Sequence, residues 1–330
     1  MKYWIASLLL SASLATGQEG LSLNTKIVLP NVNGRIDHFS VDIRGHRLFV
    51  SALGNHTVEV LDLQAGRLLR TLPDLDEPQG LLFDATSNRL FVATGDGNTR
   101  IYDGTSFQLL QTVKFSDDAD NIRYDARSNS AVVGYGGAKG LKLMGTGTLA
   151  FIDSTGKQSG SISVGAHPES FQLEKGGPRV FVNVPNKQEI QVGDVVKKLV
   201  LGRWPTMAAG SCYPMALDEA HQRLFSGCRS PARLLVYDMV SGKLVASPEI
   251  VGDTDDLFYD AARNRLYVIG GQGFIDVLLQ KDPDHYERIA RYPVPTGTRT
   301  GLFAPDWGKL FAAVPHRGEQ ISEILVFDAK

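Results

Sequence analysis

The chain has 330 residues, 34 of them lysine or arginine and 36 aspartate or glutamate, for a formal net charge of −2. A balance this close leaves no basic footprint for nucleic acid or for an anionic membrane surface. Its hydrophobic content of 43% is ordinary for a globular chain, so the ordering of residues carries more than their proportions.

The first seventeen residues differ from everything after them. Lys2 gives a minimal positive start, Trp4–Leu14 a short apolar run, and Ala15, Thr16 and Gly17 the small residues a signal peptidase reads. The run is too short to span a bilayer comfortably, and no cysteine follows it to carry a lipid anchor. The expectation is a signal peptide over residues 1–17 and an exported chain, periplasmic or secreted, over 18–330. That exported chain is expected to form one domain without a membrane span.

From Val41 onward one unit repeats. VDIRGHRLFVSA begins at Val41, FDATSNRLFVAT at Phe83, YDARSNSAVVGY at Tyr124, LEKGGPRVFVNV at Leu173 and LDEAHQRLFSGC at Leu217. YDAARNRLYVIG follows at Tyr259 and APDWGKLFAAV at Ala304. Each copy is two short β-branched or aromatic runs about a polar turn. The turns open at Asp42, Asp84, Asp125, Glu174, Asp218, Asp260 and Pro305, with spacings of 42, 41, 49, 44, 42 and 45 residues. A period in the forties means a propeller or a solenoid. A third run follows in each copy, often ending on aspartate (Asp62, Asp103, Asp153, Asp238, Asp328), and then a fourth, as in Arg67–Leu72, Phe107–Val113 and Tyr286–Tyr292.

The fold class expected is therefore all-β: a seven-bladed β-propeller of four-stranded antiparallel blades. The seventh copy stops after its third strand, while Asn24–Leu29 offers a spare strand at the other end of the chain. Paired beside Ile324–Phe327, that segment closes the ring and removes the open edges. Arg47, Arg89, Arg179, Arg223, Arg265 and Lys309 recur just after the turns. They are expected to tie each turn down through its opening acid or through backbone carbonyls.

Two features interrupt the regularity. The stretch Gly134–Thr148 holds six glycines and two lysines, without the Gly-Lys-Ser/Thr of a phosphate loop. It reads either as a flap over one face or as an inert insertion. The only two cysteines are Cys212 and Cys228. Folding their hairpin about Ala220 sets Leu217 opposite Arg223 and Cys212 opposite Cys228, close enough for a disulfide, which an exported compartment permits.

Chemistry is expected where the strands enter the channel. Five residues before each turn stand Asp37, Gln79, Asp120, Glu169, Tyr213, Asp255 and Thr300, and next to them His38, Gly80, Asn121, Ser170, Pro214, Asp256 and Gly301. The residues after those (Phe39, Leu81, Ile122, Phe171, Met215, Leu257 and Leu302) are all apolar, so the polar ring tops a dry core. Asp117, Asp118 and His167 stand just outside it, while Arg229, His316, Arg317 and Lys139 are candidate cations on the same face. Carboxylates crowded about one pore must raise their pKa or hold a cation. Asp120, Glu169 and Asp255 are the candidate metal ligands, with Asn121 beside them, for a hard ion such as Ca²⁺ or Mg²⁺. The candidate ligand-binding set is Asp37, His38, Asp120, Asn121, Glu169, Asp255, Asp256, Arg229, His316 and Arg317. His38 and His316 are the candidate acid–base groups.

LFVSALGNHTVEVLD, LFVATGDGNTRIYD and VFVNVPN resemble the Tyr-Val-Thr-Asn strand signature of the YVTN-type, YncE-like propellers, across the chain from about Leu21. Phe is commoner here than Tyr, and Ser, Ala or Gly often replaces Thr-Asn. The resemblance implies an exported seven-bladed propeller with a binding role and carries no catalytic residue over. Two functions follow. The first is a binding module for a small molecule or protein at the channel mouth. The second is a metal-dependent hydrolase or lyase, lactonase-like, using the same acids.

Overall fold

The computed structural model describes residues 20–137 and 146–330. The expected signal peptide, Lys139 and most of the glycine-rich stretch lie outside the described residues. Seven four-stranded antiparallel sheets are present, six of them simple meanders. Their first strands neighbour one another all the way round, and that of blade seven, Gly301–Ala304, lies beside that of blade one, Phe39–Asp42. The sheets thus form a closed ring. Among the described residues no helix is long and apolar enough to cross a membrane.

The Leu-Phe-Val runs form the second strand of each blade and are buried on both faces. Leu48, Phe49 and Val50 are wholly enclosed, as are their counterparts Leu224, Phe225, Leu266, Tyr267 and Val268. Each face packs against a neighbouring blade, which is why these strands read as continuous apolar runs. The polar turns follow from backbone geometry. His46, Asn88, Asn129, Gln222 and Asn264 adopt left-handed conformations with φ of 51–55°, just before the second strand begins. The aspartates that end the third strands cap the next turn, as where Asp62 accepts from the backbone N–H groups of Gln64 and Ala65.

The ring closes as the strand count implies, with a refinement. The N-terminal strand spans Leu21–Val28, starting three residues before the expected Asn24, and pairs antiparallel with Glu323–Ala329. A bulge falls between Leu23 and Thr25. Because strand side chains alternate with period two, one extra residue swaps the faces. Leu21 therefore packs among blade-six residues, including Tyr267 and Tyr292, whereas Ile27 packs among blade-one residues, including Leu48 and Val50. One strand holds both neighbours of the last blade.

The recurrent cations follow only part of their expected role. Arg47 and Arg179 pair with their own turn acids, Asp42 at 2.7 Å and Glu174. Arg89, Arg223 and Lys309 instead bind the aspartate ending their own third strand, at 3.2 Å to Asp103, 2.9 Å to Asp238 and 2.5 Å to Asp328. Several also reach the next blade: Arg47 donates to the Gly104 carbonyl, Arg179 to that of Met239 and Arg265 to that of Lys330. They tie blades together as well as turns.

Cys212 and Cys228 form a disulfide with Cα atoms 3.9 Å apart. The hairpin register near the turn is Asp218 opposite Arg223 and Leu217 opposite Leu224, one residue away from the register expected. A bulge between Cys212 and Met215 restores the pairing of the two cysteines.

Candidate functional site

The bulge at the cysteines is one of four in the first strands of the blades. In blades two, three, five and six the first strand slips between Pro78 and Leu81, Ala119 and Ile122, Cys212 and Met215, and Thr254 and Asp256. A bulge leaves its extra residues unpaired and re-aims their side chains. Those left outside the ladder include Gln79, Asp120, Asn121, Tyr213 and Asp255, four of them ring positions. Glu169 lies just ahead of its blade's first strand, Phe171–Leu173.

These residues bound a cavity of about 320 Å³ at the channel mouth. Gln79, Asp120, Glu169, Tyr213 and Asp255 line it from the ring, and Arg35, Asp118 and His167 from positions two residues ahead of the ring. Asn186, Arg229 and Arg299 complete the wall. Gln79, Asp118, His167 and Tyr213 stand in or beside the ring read from the sequence but not in the candidate ligand-binding set, and Arg35, Asn186 and Arg299 are not singled out from the sequence at all. Arg35 had a usable signal, since it stands to Asp37 as His167 stands to Glu169. His316 and Arg317 are not among the lining residues. Arg317 turns back on Gln320, and its guanidinium lies against Gly297.

The wall is divided by charge. On one side Asp255 is gripped by Arg229 at 2.6 Å and by Arg299 at 2.9 Å, one guanidinium on each carboxylate oxygen. The same arginines reach Asp253 at 3.4 and 3.2 Å, and Arg229 lies over the Tyr213 ring, 4.2 Å from its centroid. Burial pushes Asp255 up to about 6 against the pull of these arginines, so it is ionised at neutral pH. With both its oxygens engaged, Asp255 is not part of the cluster of potential ligands.

On the other side Asp120, His167 and Glu169 each present a ligand-type atom within 4.8 Å of the other two. Among the described residues this is the one such group of histidine and acidic side chains. His167 replaces the expected Asp255 in it. Burial, reinforced by the charge of Asp120, pushes Glu169 up to about 8. Asp120 is held below the usual carboxylate range, because His167, His38 and Arg35 together outweigh its burial. Its Oδ1 accepts no hydrogen bond, and neither does Oδ1 of Asn121, although the residues are only 7% and 2% exposed.

Below the cavity lies a second polar layer. His38 Nδ1 is 3.3 Å from Asp256, and its Nε2 is 3.4 Å from the Asn121 amide, 3.6 Å from Asp37 and 4.0 Å from Asp120. Burial disfavours the imidazolium, but Asp256 and Asp37 outweigh it and raise His38 to about 10. His38 is thus a cation at neutral pH and joins blades one, three and six as a strut. Of the acid–base roles expected from the sequence, that protonation state suits the acid and not the base. Asp256 Oδ2 also accepts from the Gly301 N–H at 2.9 Å, and Asp37 pairs with Arg35 at 2.7 Å. Beneath this layer Phe39, Leu81, Ile122, Phe171, Met215 and Leu257 are buried, in keeping with an apolar floor.

No family model matches the chain, and no curated protein matches it. Among solved structures it is similar to a chain of one described as the crystal structure of a mitotic checkpoint complex. The two share 11% sequence identity at a TM-score of 0.77, over 99% of each chain. At that identity the likeness speaks for the fold alone, a seven-bladed β-propeller.

Proposed function

We propose that this chain is an exported, YVTN-type propeller that binds a small polar ligand, or a projecting group of a partner, in the channel-mouth cavity. The observation that carries this reading is Asp120 Oδ1, a buried carboxylate oxygen that accepts no hydrogen bond from the protein although its residue lines an open polar cavity. Buried acceptors of this kind cost free energy until something fills them. The disulfide and the signal-like first residues support export. A screen of small polar compounds for thermal stabilisation of the exported chain tests it. Compounds that raise the melting temperature of the wild type are expected to lose that effect in Glu169→Gln and Tyr213→Ala. The reading falls if hits stabilise those variants equally, or if the chain recovered from cells still carries residues 1–17.

The runner-up, a metal-assisted hydrolase or lyase, is favoured by one observation: the Asp120, His167 and Glu169 cluster opens onto the same cavity. Turnover of a lactone by wild type but not by Glu169→Gln would promote it over the binding module.

A further inference from the structure

We infer that Asp120, His167 and Glu169 form a binding site for a divalent transition-metal ion of the Zn²⁺ class, rather than for Ca²⁺ or Mg²⁺. The inference shares its location with the proposed cavity but stands on other features. His167 and Glu169 flank Pro168. Proline holds the residue before it extended, so positions two apart fall on one side of this segment, and both residues line the cavity. Asp120 joins them from the bulge of the adjacent blade.

Orientation of the imidazole comes from the glycine-rich segment. His167 Nδ1 donates to the Gly136 carbonyl at 2.7 Å. That bond turns Nε2 towards Asp120, 3.9 Å from Oδ2 and too far for a hydrogen bond, and an ion there takes the place of the Nε2 proton. An outer carbonyl holding a ligand histidine by its other nitrogen is the usual support of a metal site. The segment is built for this approach. Gly136 and Gly137 have φ of +74° and +86°, and a Cβ on Gly137 would stand 2.3 Å from the backbone nitrogen of His167.

A second observation points to a ligand. Asp120 is 7% exposed and lines the cavity, and its Oδ1 accepts no hydrogen bond, with only the His38 ring 4.0 Å away. An ion at roughly 2.0–2.2 Å from each donor holds them about 3–4 Å apart, so the present spacing closes with shifts of an ångström or less. The donor set selects the ion. Imidazole with two carboxylates suits Zn²⁺ and its neighbours, whereas Ca²⁺ wants six to eight oxygens and Mg²⁺ an octahedron rich in water. Two carboxylates neutralise a divalent charge, and the cavity leaves room for exogenous ligands on the ion.

The test uses the full exported chain stripped with chelator and titrated with Zn²⁺ in a calorimeter. One equivalent is expected to bind. Affinity should fall by about 100-fold or more in His167→Gln and in Glu169→Gln, while His285→Gln on the surface matches wild type. Millimolar Ca²⁺ or Mg²⁺ should not compete. Should a variant fail to fold, imidazole ¹⁵N spectra of the wild type give the answer: Zn²⁺ is expected to shift the Nε2 resonance of one histidine among seven. Absence of saturable binding, retention of it in His167→Gln, displacement by Ca²⁺, or histidine spectra unmoved by Zn²⁺ would each overturn the site. If Zn²⁺ fails to bind while small compounds still stabilise the chain, the metal site falls and the binding cavity stands.

Discussion

Replacing Ile27 by alanine tests the closure of the ring at one side chain. Ile27 is 2% exposed and packs with Ile324, Val326 and Phe311 of its own blade and with Leu48 and Val50 of blade one. Removing three buried carbons forfeits about 2.4 kcal/mol of transfer free energy, and the cavity left behind raises the loss to about 3–4 kcal/mol. Leu23 lies on the same strand before the bulge and is 50% exposed, so its replacement by alanine should cost under ~1 kcal/mol. An unfolding entropy of roughly 2 cal/mol/K per residue over the folded chain converts these losses into about 5 °C and at most ~1.5 °C of melting temperature. Calorimetric or circular-dichroism melts of the chain from Gln18 onward, with urea midpoints alongside, would measure both. Deleting the strand through Leu29 removes Leu21, Ile27 and Leu29 together, all 2% exposed. At ~2 kcal/mol each this approaches the whole stability of an ordinary domain, so that truncation should not fold. Equal shifts for Ile27→Ala and Leu23→Ala, or a folded truncation, would refute the docking of this strand between blades six and one.

Reducing the disulfide, which closes a loop across 16 positions, should cost ~3 kcal/mol, and thiols freely alkylated in native unreduced protein would contradict the bridge. His38 is raised from 6.5 to about 10, so its contribution is complete below pH 6.5 and lost as pH rises towards 10. At 1.36 kcal/mol per unit the ceiling is roughly 5 kcal/mol, and an alkaline stability slope unchanged in His38→Gln would dismiss the strut. Glu169 is raised from 4.5 to about 8 by burial and by Asp120, so in chelator ionising it weakens the fold as pH climbs through that window. Glu169→Gln should therefore be ~1–3 kcal/mol more stable than wild type at pH 7 and converge with it near pH 4; a variant less stable at pH 7 would reject the repulsion. Gly137→Ala should destabilise by ~1–3 kcal/mol, since its φ is +86° and its Cβ would strike the His167 backbone, and a silent melt would discount that packing.

Periodicity alone determined the blade count, the meander within each blade and the need for the N-terminal strand, because a repeat that cannot bury both faces must stack into a ring. The same arithmetic located the ring positions Gln79, Asp120, Glu169, Tyr213 and Asp255, all of which line the cavity. It did not find Arg35 and Arg299, which lie outside the position scanned, and it enlisted His316 and Arg317, which do not line the cavity. Hydrophobic alternation specifies which face a residue takes only while the ladder is regular, and four of the first strands break it with a bulge. The cysteine pairing shows the effect: the register near the turn was read one residue off, and the bulge compensated. Likewise only packing assigned Asp255 to two arginines and brought His167 to Asp120 and Glu169, since charges from different blades meet through the closure of the ring. Sequence order lists the acids of the mouth; the distances between blades decide which of them are already neutralised and which are left facing the cavity.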